Sequence, residues 1–398
     1  MKLKIILKMS DTTFNEISVC LLGNVDSGKS STLGVLLTDK PDNGNGEARS
    51  VVSKHPHEIK SGKTSDIAYH SRVFCRNRVT FADLAGHQKY FKTTLYGLSS
   101  FIPDCVVLCV DRYASTYKMT KEHIGLLLRM NIPFILCMTK TDLYPKEVTD
   151  DSLRQIKDLV TRASKKRFFE VKTSSDITFA LTAFQSKSVI PVFRISNTTL
   201  SGIDMLKEFF AVIPSMKNTF CTSSEFMVNT VYRVKGIGFV LCGRAGSTPL
   251  HVGDTVFIDN NEECIIKSIH NDHREFIPEL PPYARGCLNI RVKNNLPIRI
   301  KLGSVVSGKE VKLVTRFKAN ILVLSNHSTT ITNNFGTYIH CGAVRISANM
   351  RCVEKVYLRG GQTKEVEFET INPCFLETGQ RFFFREGHLI GEGVIMWC

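Results

Sequence analysis

Between residue 17 and about residue 214, short β-branched runs alternate with stretches of helical period. The apolar runs 17–22, 79–83, 105–110, 132–138 and 191–195 predict strands. Helices are predicted at 29–37, 88–99, 121–130, 150–164 and 203–212, the fourth entered by Thr149-Asp150-Asp151-Ser152, whose hydroxyls and carboxylates suit a helix start. That rhythm indicates an α/β domain with a mostly parallel sheet and helices on both faces. After Pro214 the pattern changes to alternating strands with glycine-rich turns, preceded by a polar stretch at 217–224. Strands of a small barrel are expected at 226–234, 238–242, 254–258, 264–269 and 288–292. A second break at 308–312 precedes another strand-rich stretch from Phe317 onward. The expected organisation is therefore an α/β domain over 1–216, followed by two antiparallel β-barrel domains over 217–309 and 310–398.

With 398 residues, 43% of them hydrophobic and 22% charged, the chain can bury several cores, which excludes disorder and collagen-like repeats. The net charge of +15 is spread over both halves. It admits two readings, a polyanionic partner such as nucleic acid or merely a well-solvated surface. The 13 cysteines are odd in number, include no CxxC pair, and in part sit inside apolar runs, as Cys105 and Cys109 do. They read as reduced, packed thiols, and no zinc site is assigned. Only three apolar residues stand together after Lys4, and no apolar run approaches the roughly 18 residues that span a bilayer. A cytoplasmic protein without membrane contact, acting as a monomer, is expected.

The sharpest chemical signal is Gly23-Asn24-Val25-Asp26-Ser27-Gly28-Lys29-Ser30, placed between the first strand and the first helix. This is a P-loop in its required context. Its backbone amides, through Ser31, are set to meet phosphate oxygens; Lys29 neutralises β/γ charge and the Ser30 hydroxyl can ligate Mg²⁺. Asp83-Leu84-Ala85-Gly86-His87 ends the strand at 79–83. Asp83 would hold a water of the metal, and the Gly86 amide would meet the γ-phosphate. Thr139-Lys140-Thr141-Asp142 follows the strand at 132–138. A carboxylate at Asp142 can accept both the N1 and N2 hydrogens of guanine, whereas adenine offers an acceptor at N1 and no amino group at position 2, so GTP and GDP are favoured over ATP. Ser196-Asn197 after the last strand suits backbone or side-chain contact with the base.

In this order, and followed by two barrels, these motifs resemble the translational GTPases of the elongation factor Tu and elongation factor 1-alpha type. The stretches Gly23 to Leu36, Ser61-Gly-Lys-Thr-Ser, Asp83 to His87, Thr139 to Asp142 and Phe193-Arg-Ile-Ser-Asn are most similar to the GTP-binding protein 1 and 2 branch. The resemblance implies that His87 positions the attacking water, and that Thr64 is a switch threonine coordinating Mg²⁺ and sensing the γ-phosphate. It also implies ribosomes, tRNA or other RNA as partners. The barrel segment Tyr232 to Gly246 resembles the opening hairpin of the family's second domain. Three departures stand out: Ser27 where elongation factors often carry His, Lys63 for the apolar residue before the switch threonine, and Thr139 for the Asn of the guanine motif. Slow intrinsic hydrolysis, stimulated by a large partner, is the corresponding expectation. Two other classes remain open: a nucleotide-regulated RNA-binding or RNA-surveillance adaptor without tRNA delivery, and an ATP-dependent nucleotide-modifying enzyme, which Asp142 disfavours.

Overall fold

The computed structural model describes residues 14–53, 67–112, 118–215, 225–259, 262–293, 300–324, 330–351, 358–386 and 388–398. Two compact units divide the chain: 1–93 with 103–216, and 94–102 with 217–398.

The first unit is built on seven strands, β1 (Asn15–Gly23), β2 (Ala68–Phe74), β3 (Asn77–Asp83), β4 (Cys105–Val110), β5 (Phe134–Met138), β6 (Arg167–Glu170) and β7 (Val189–Arg194). Their order across the sheet is β2-β3-β1-β4-β5-β7-β6. All neighbours run parallel except the β2–β3 edge pair. Every residue of β4 and β5 is buried, which is why those strands read as unbroken apolar runs rather than as an alternation. Strand β1 has β3 on one side and β4 on the other. The chain thus reverses its lateral progress at β1, and a ligand crevice belongs at the carboxyl ends there.

The helices among the described residues here are α1 (Lys29–Thr38), α2 (Glu47–Ser50), α3 (Phe91–Phe101), α4 (Lys118–Arg129), α5 (Lys146–Ala163), α6 (Ser174–Gln185) and α7 (Ile203–Val212), of which α3 passes at residue 94 into the second unit. Phe74, Phe81 and Phe210 pack edge-on or tilted at 5.3 to 6.2 Å in the core between β2, β3 and α7. The stretch expected to be one helix from 88 opens instead as a 3₁₀ turn, Gln88–Tyr90, ahead of α3. Helix α5 begins at Lys146, four residues before the expected start. Pro145 supplies the non-helical residue in front of it, and the Thr149 hydroxyl donates back to the Lys146 carbonyl at 2.8 Å instead of capping. Strands β2 and β6 and helices α2 and α6 were not expected. Helix α6 nonetheless carries a sequence signature, Thr173-Ser-Ser-Asp176, which closes a complete capping box.

The second unit contains two closed antiparallel barrels. In the first, Thr255–Ile258 pairs with both Glu262–Asn271 and Val305–Ser307, and this closes the sheet that contains Phe226–Val234, Gly238–Arg244 and Arg285–Val292. The second closes over six strands, Val314–Val323, Phe335–Cys341, Val344–Arg351, Thr363–Cys374, Arg381–Glu386 and His388–Trp397. Phe317, Ala319, Ile321 and Val323 are fully buried at alternate positions, as the period of a barrel strand requires. Phe317 stacks on Phe368 at 5.1 Å, and Phe382 meets both rings edge-on. Residues 94–102 group with this unit. There the Tyr96 hydroxyl donates to the Asn229 carbonyl at 3.0 Å, the Asn229 amide donates to the Ser100 carbonyl at 2.8 Å, and the Arg244 guanidinium donates to the Ile102 carbonyl.

Candidate functional site

At the carboxyl ends of β1, β3, β5 and β7 lies a cavity of about 480 Å³. Val25, Asp26, Gly28, Lys29, Ser30 and Ser31 line it from the loop between β1 and α1. Gly86 and His87 reach it from the end of β3, Lys140 and Asp142 from the end of β5, and Asn197 from the end of β7. Asn24, Ser27, Asp83, Thr139 and Ser196 do not line it; Asn24, Asp83 and Ser196 bond Lys29, Ser30 and Asp142, which do.

Lys29 is buried, and its ammonium donates to the Asn24 carbonyl at 2.8 Å, so the lysine lies back along its own loop. Burial lowers its pKa, while Asp83 opposes that shift. The Ser30 hydroxyl donates to the Asp83 carboxylate at 2.6 Å, joining the loop to the end of β3. Two hard oxygen donors, one of them anionic, meet there, which fits Mg²⁺: that ion takes one or two carboxylate oxygens and completes its octahedron with water and phosphate. Gly86 crosses over the loop so closely that a Cβ on it would lie 2.5 Å from the Gly23 carbonyl oxygen and 2.6 Å from the Lys29 nitrogen. No other residue fits there without moving the loop. His87 is half-buried, and its Nδ1 accepts the Lys89 amide at 3.1 Å. In the neutral ring that leaves the proton on Nε2. Thr64 lies outside the described residues.

On the other side of the cavity, the Thr139 hydroxyl reaches the Ser27 carbonyl at 2.9 Å and the Val110 carbonyl at 3.1 Å. Threonine in place of asparagine therefore still ties the guanine-motif segment to the P-loop. Asp142 is exposed and accepts the Thr198 hydroxyl at 2.9 Å. Burial works against its charge, but hydrogen bonds from Ser196 and Thr198 outweigh that and keep its carboxyl below the ordinary carboxylate range. It is an anion that can accept two parallel N–H bonds. Lys140 and Asp26 both adopt left-handed backbone angles, φ 56° and 59°, which non-glycine residues rarely keep without surrounding support. Asn197 faces inward: its side chain bonds the Thr32 hydroxyl of α1 at 3.1 Å, and its carbonyl accepts the Asp42 amide at 2.8 Å. Of the two kinds of contact expected of Asn197, the side chain is engaged with α1.

A family model described as the elongation factor Tu GTP binding domain matches residues 15–217, just over half of the chain, and the elongation factor Tu C-terminal domain matches 310–397. The chain belongs to the translational GTPase family. Within the family it is similar to GTP-binding protein 1 of Xenopus laevis, at 31% identity over 97% of this chain. It is likewise similar to GTP-binding protein 2 of Mus musculus, at 30% identity over 96% of this chain and 69% of the relative. The chain spans 64% of the Xenopus protein's length. Its fold is that of translation elongation factor SelB from Methanococcus maripaludis in complex with the GTP analogue GppNHp: TM-score 0.70 at 19% identity, covering 96% of this chain and 79% of the other. As a translational GTPase the chain carries an elongation factor Tu-type GTP-binding domain. Sequence reasoning missed one wall of its cavity, formed by Asp42, Gly44, Asn45, Gly46 and Arg49. The only available signal was an arginine embedded in a glycine- and asparagine-rich stretch.

Proposed function

We propose that this translational GTPase hydrolyses GTP to GDP and phosphate as a conformational switch, working with ribosomes and tRNA or another RNA in translation or its quality control. The observation that carries the reading is the convergence of four motifs, distant in sequence, on one cavity. In this reading the Lys29 ammonium leaves the Asn24 carbonyl for β- and γ-phosphate oxygens, and the P-loop amides take the remaining ones. Ser30 would ligate Mg²⁺ and Asp83 would hold one of its waters, with Thr64 as the further switch ligand, and the ion would offset charge on the phosphates. Asp142 accepts the two guanine hydrogens, Lys140 and Thr139 support the base pocket, and Ser196 orients Asp142. Water attacks the γ-phosphorus in line as the bond to the β-phosphate oxygen breaks, and its proton passes to an oxygen of the departing phosphoryl group, giving GDP and inorganic phosphate. His87, with its proton on Nε2, positions that water rather than deprotonating it.

Loss of the γ-phosphate releases the segment around Gly86, which runs on toward α3. RNA contact is assigned to the exposed hairpin around Tyr232, Arg233, Lys235 and Ile237, where cationic and apolar side chains intermix, as on single-stranded RNA platforms. No described helix is long and apolar enough to cross a membrane, and we place the protein in the cytoplasm as a monomer.

The test is hydrolysis with and without ribosomes, together with cosedimentation in GTP-analogue and GDP states. Slow turnover alone, a large stimulation by ribosomes, and its loss by roughly 100-fold or more in His87→Ala with GTP affinity intact are the expected results. Rapid turnover without ribosomes would contradict the reading. RNA binding indifferent to nucleotide and ribosomes would favour an adaptor instead.

A further inference from the structure

The segment between α1 and residue 53 does more than wall the cavity; it is locked in place and carries a cation. Ala48 is buried in α2, and its carbonyl oxygen presses on α1 at Gly34, where a Cβ would lie 1.9 Å from it. Val52 is buried just beyond. The Ala48 amide donates to the Asp42 carboxylate at 3.2 Å, and the Asp42 amide donates to the Asn197 carbonyl at 2.8 Å. Arg49 thus stands on an element tied to α1 and to the base side of the cavity.

Its guanidinium lies against Gly46, where a Cβ would sit 3.1 Å from one of its nitrogens, and it lines the cavity. Neighbouring acids are engaged elsewhere: Glu47 accepts the Asn43 amide at 3.0 Å, and Asp39 pairs with Arg72 and Lys207. Among the described residues no side chain or carbonyl takes the Arg49 side chain. A half-buried guanidinium with five donors and no protein acceptor, held at the wall of a triphosphate-sized cavity, matches phosphate oxygens, which it can grip in a fork.

We propose that Arg49 is a second phosphate-binding cation of this site, supplied by α2 and gripping oxygens of the phosphates that GTP and GDP share. The inference rests on the cavity being the guanine-nucleotide site. The shared phosphates are assigned because α2 is bonded through Asp42 to Asn197, on the side of the cavity read as the base site, whereas the γ-phosphate is expected at Gly86.

Calorimetric titration of the full chain with GTP, GDP and guanosine in the presence of Mg²⁺ tests it, comparing wild type, Arg49→Gln and Arg49→Lys. Arg49→Gln should weaken GTP and GDP alike by roughly 10- to 100-fold and leave guanosine unchanged, with Arg49→Lys intermediate because it keeps the charge without the fork. The melting temperature without nucleotide should be unaltered in both variants. Unchanged GTP and GDP affinity in Arg49→Gln would overturn the proposal, and so would a loss confined to GTP or an equal loss for guanosine. Failure of the parent reading is separately visible, as wild-type protein that does not bind GTP at all.

Discussion

In the proposed function one side chain, Asp142, decides base identity. Its carboxylate is kept ionised by hydrogen bonds from Ser196 and Thr198, and it faces a cavity that a purine can enter. Asp142→Asn replaces one acceptor with a donor, so GTP should weaken by about 10- to 100-fold while xanthosine triphosphate gains affinity, as competition binding would register. Unchanged GTP affinity would mean that the base sits elsewhere. Asp142, Lys29 and Ser30 were legible in the sequence because each belongs to a short motif whose spacing is set by a local turn. Arg49 was not, since what distinguishes it is the absence of a partner among the described residues, which only the packed neighbourhood reveals. Thr139 lies between these cases: its departure from asparagine was visible, but the bond to the Ser27 carbonyl that makes it serviceable was not.

Among the elements, α1 joins the phosphate loop to the far side of the first unit, and its last contact is electrostatic. Asp39 closes the helix with φ 59° and pairs with Arg72 of β2 and Lys207 of α7. Hydrogen bonds from Arg72 and then Lys207 lower its pKa from 3.8 to about 2. Because the folded value lies below the unfolded one, the stabilisation is complete above about pH 4 and is lost as the pH falls through about 2. Asparagine tolerates the left-handed cap, so Asp39→Asn isolates the charge. Thermal melts should show a loss of at most about 1 kcal/mol at pH 7, since the pairs are partly exposed, and a difference from wild type that shrinks as the pH falls through about 2 and vanishes below it. A difference that is the same above and below that pH would contradict the electrostatic account. Strands β2 and β6 escaped the sequence pattern because sheet edges need no continuous apolar run, whereas β4 and β5, buried along their whole length, were unmistakable.

For the molecule as a whole, the charge of +15 becomes informative where cations meet exposed apolar groups. Tyr232 and Ile237 are 54% and 53% exposed beside Arg233 and Lys235, far more than barrel packing requires. Replacing Arg233 and Lys235 by Glu should weaken ribosome or RNA association and reduce its salt dependence, with GTP affinity unchanged, as salt-titrated cosedimentation would show. Retention of full binding would return the charge to ordinary surface solvation.

The buried inner strands, the helices around them, the change to barrels and the presence of the nucleotide-loop motifs were legible as local pattern, because period and motif spacing act over a few residues at a time. Which distant segments share a wall, which buried hydroxyl holds which carbonyl, and that Arg49 stands beside the cavity without an acceptor among the described residues were decided by tertiary packing. Those relations join residues far apart in the chain, and no local pattern encodes them.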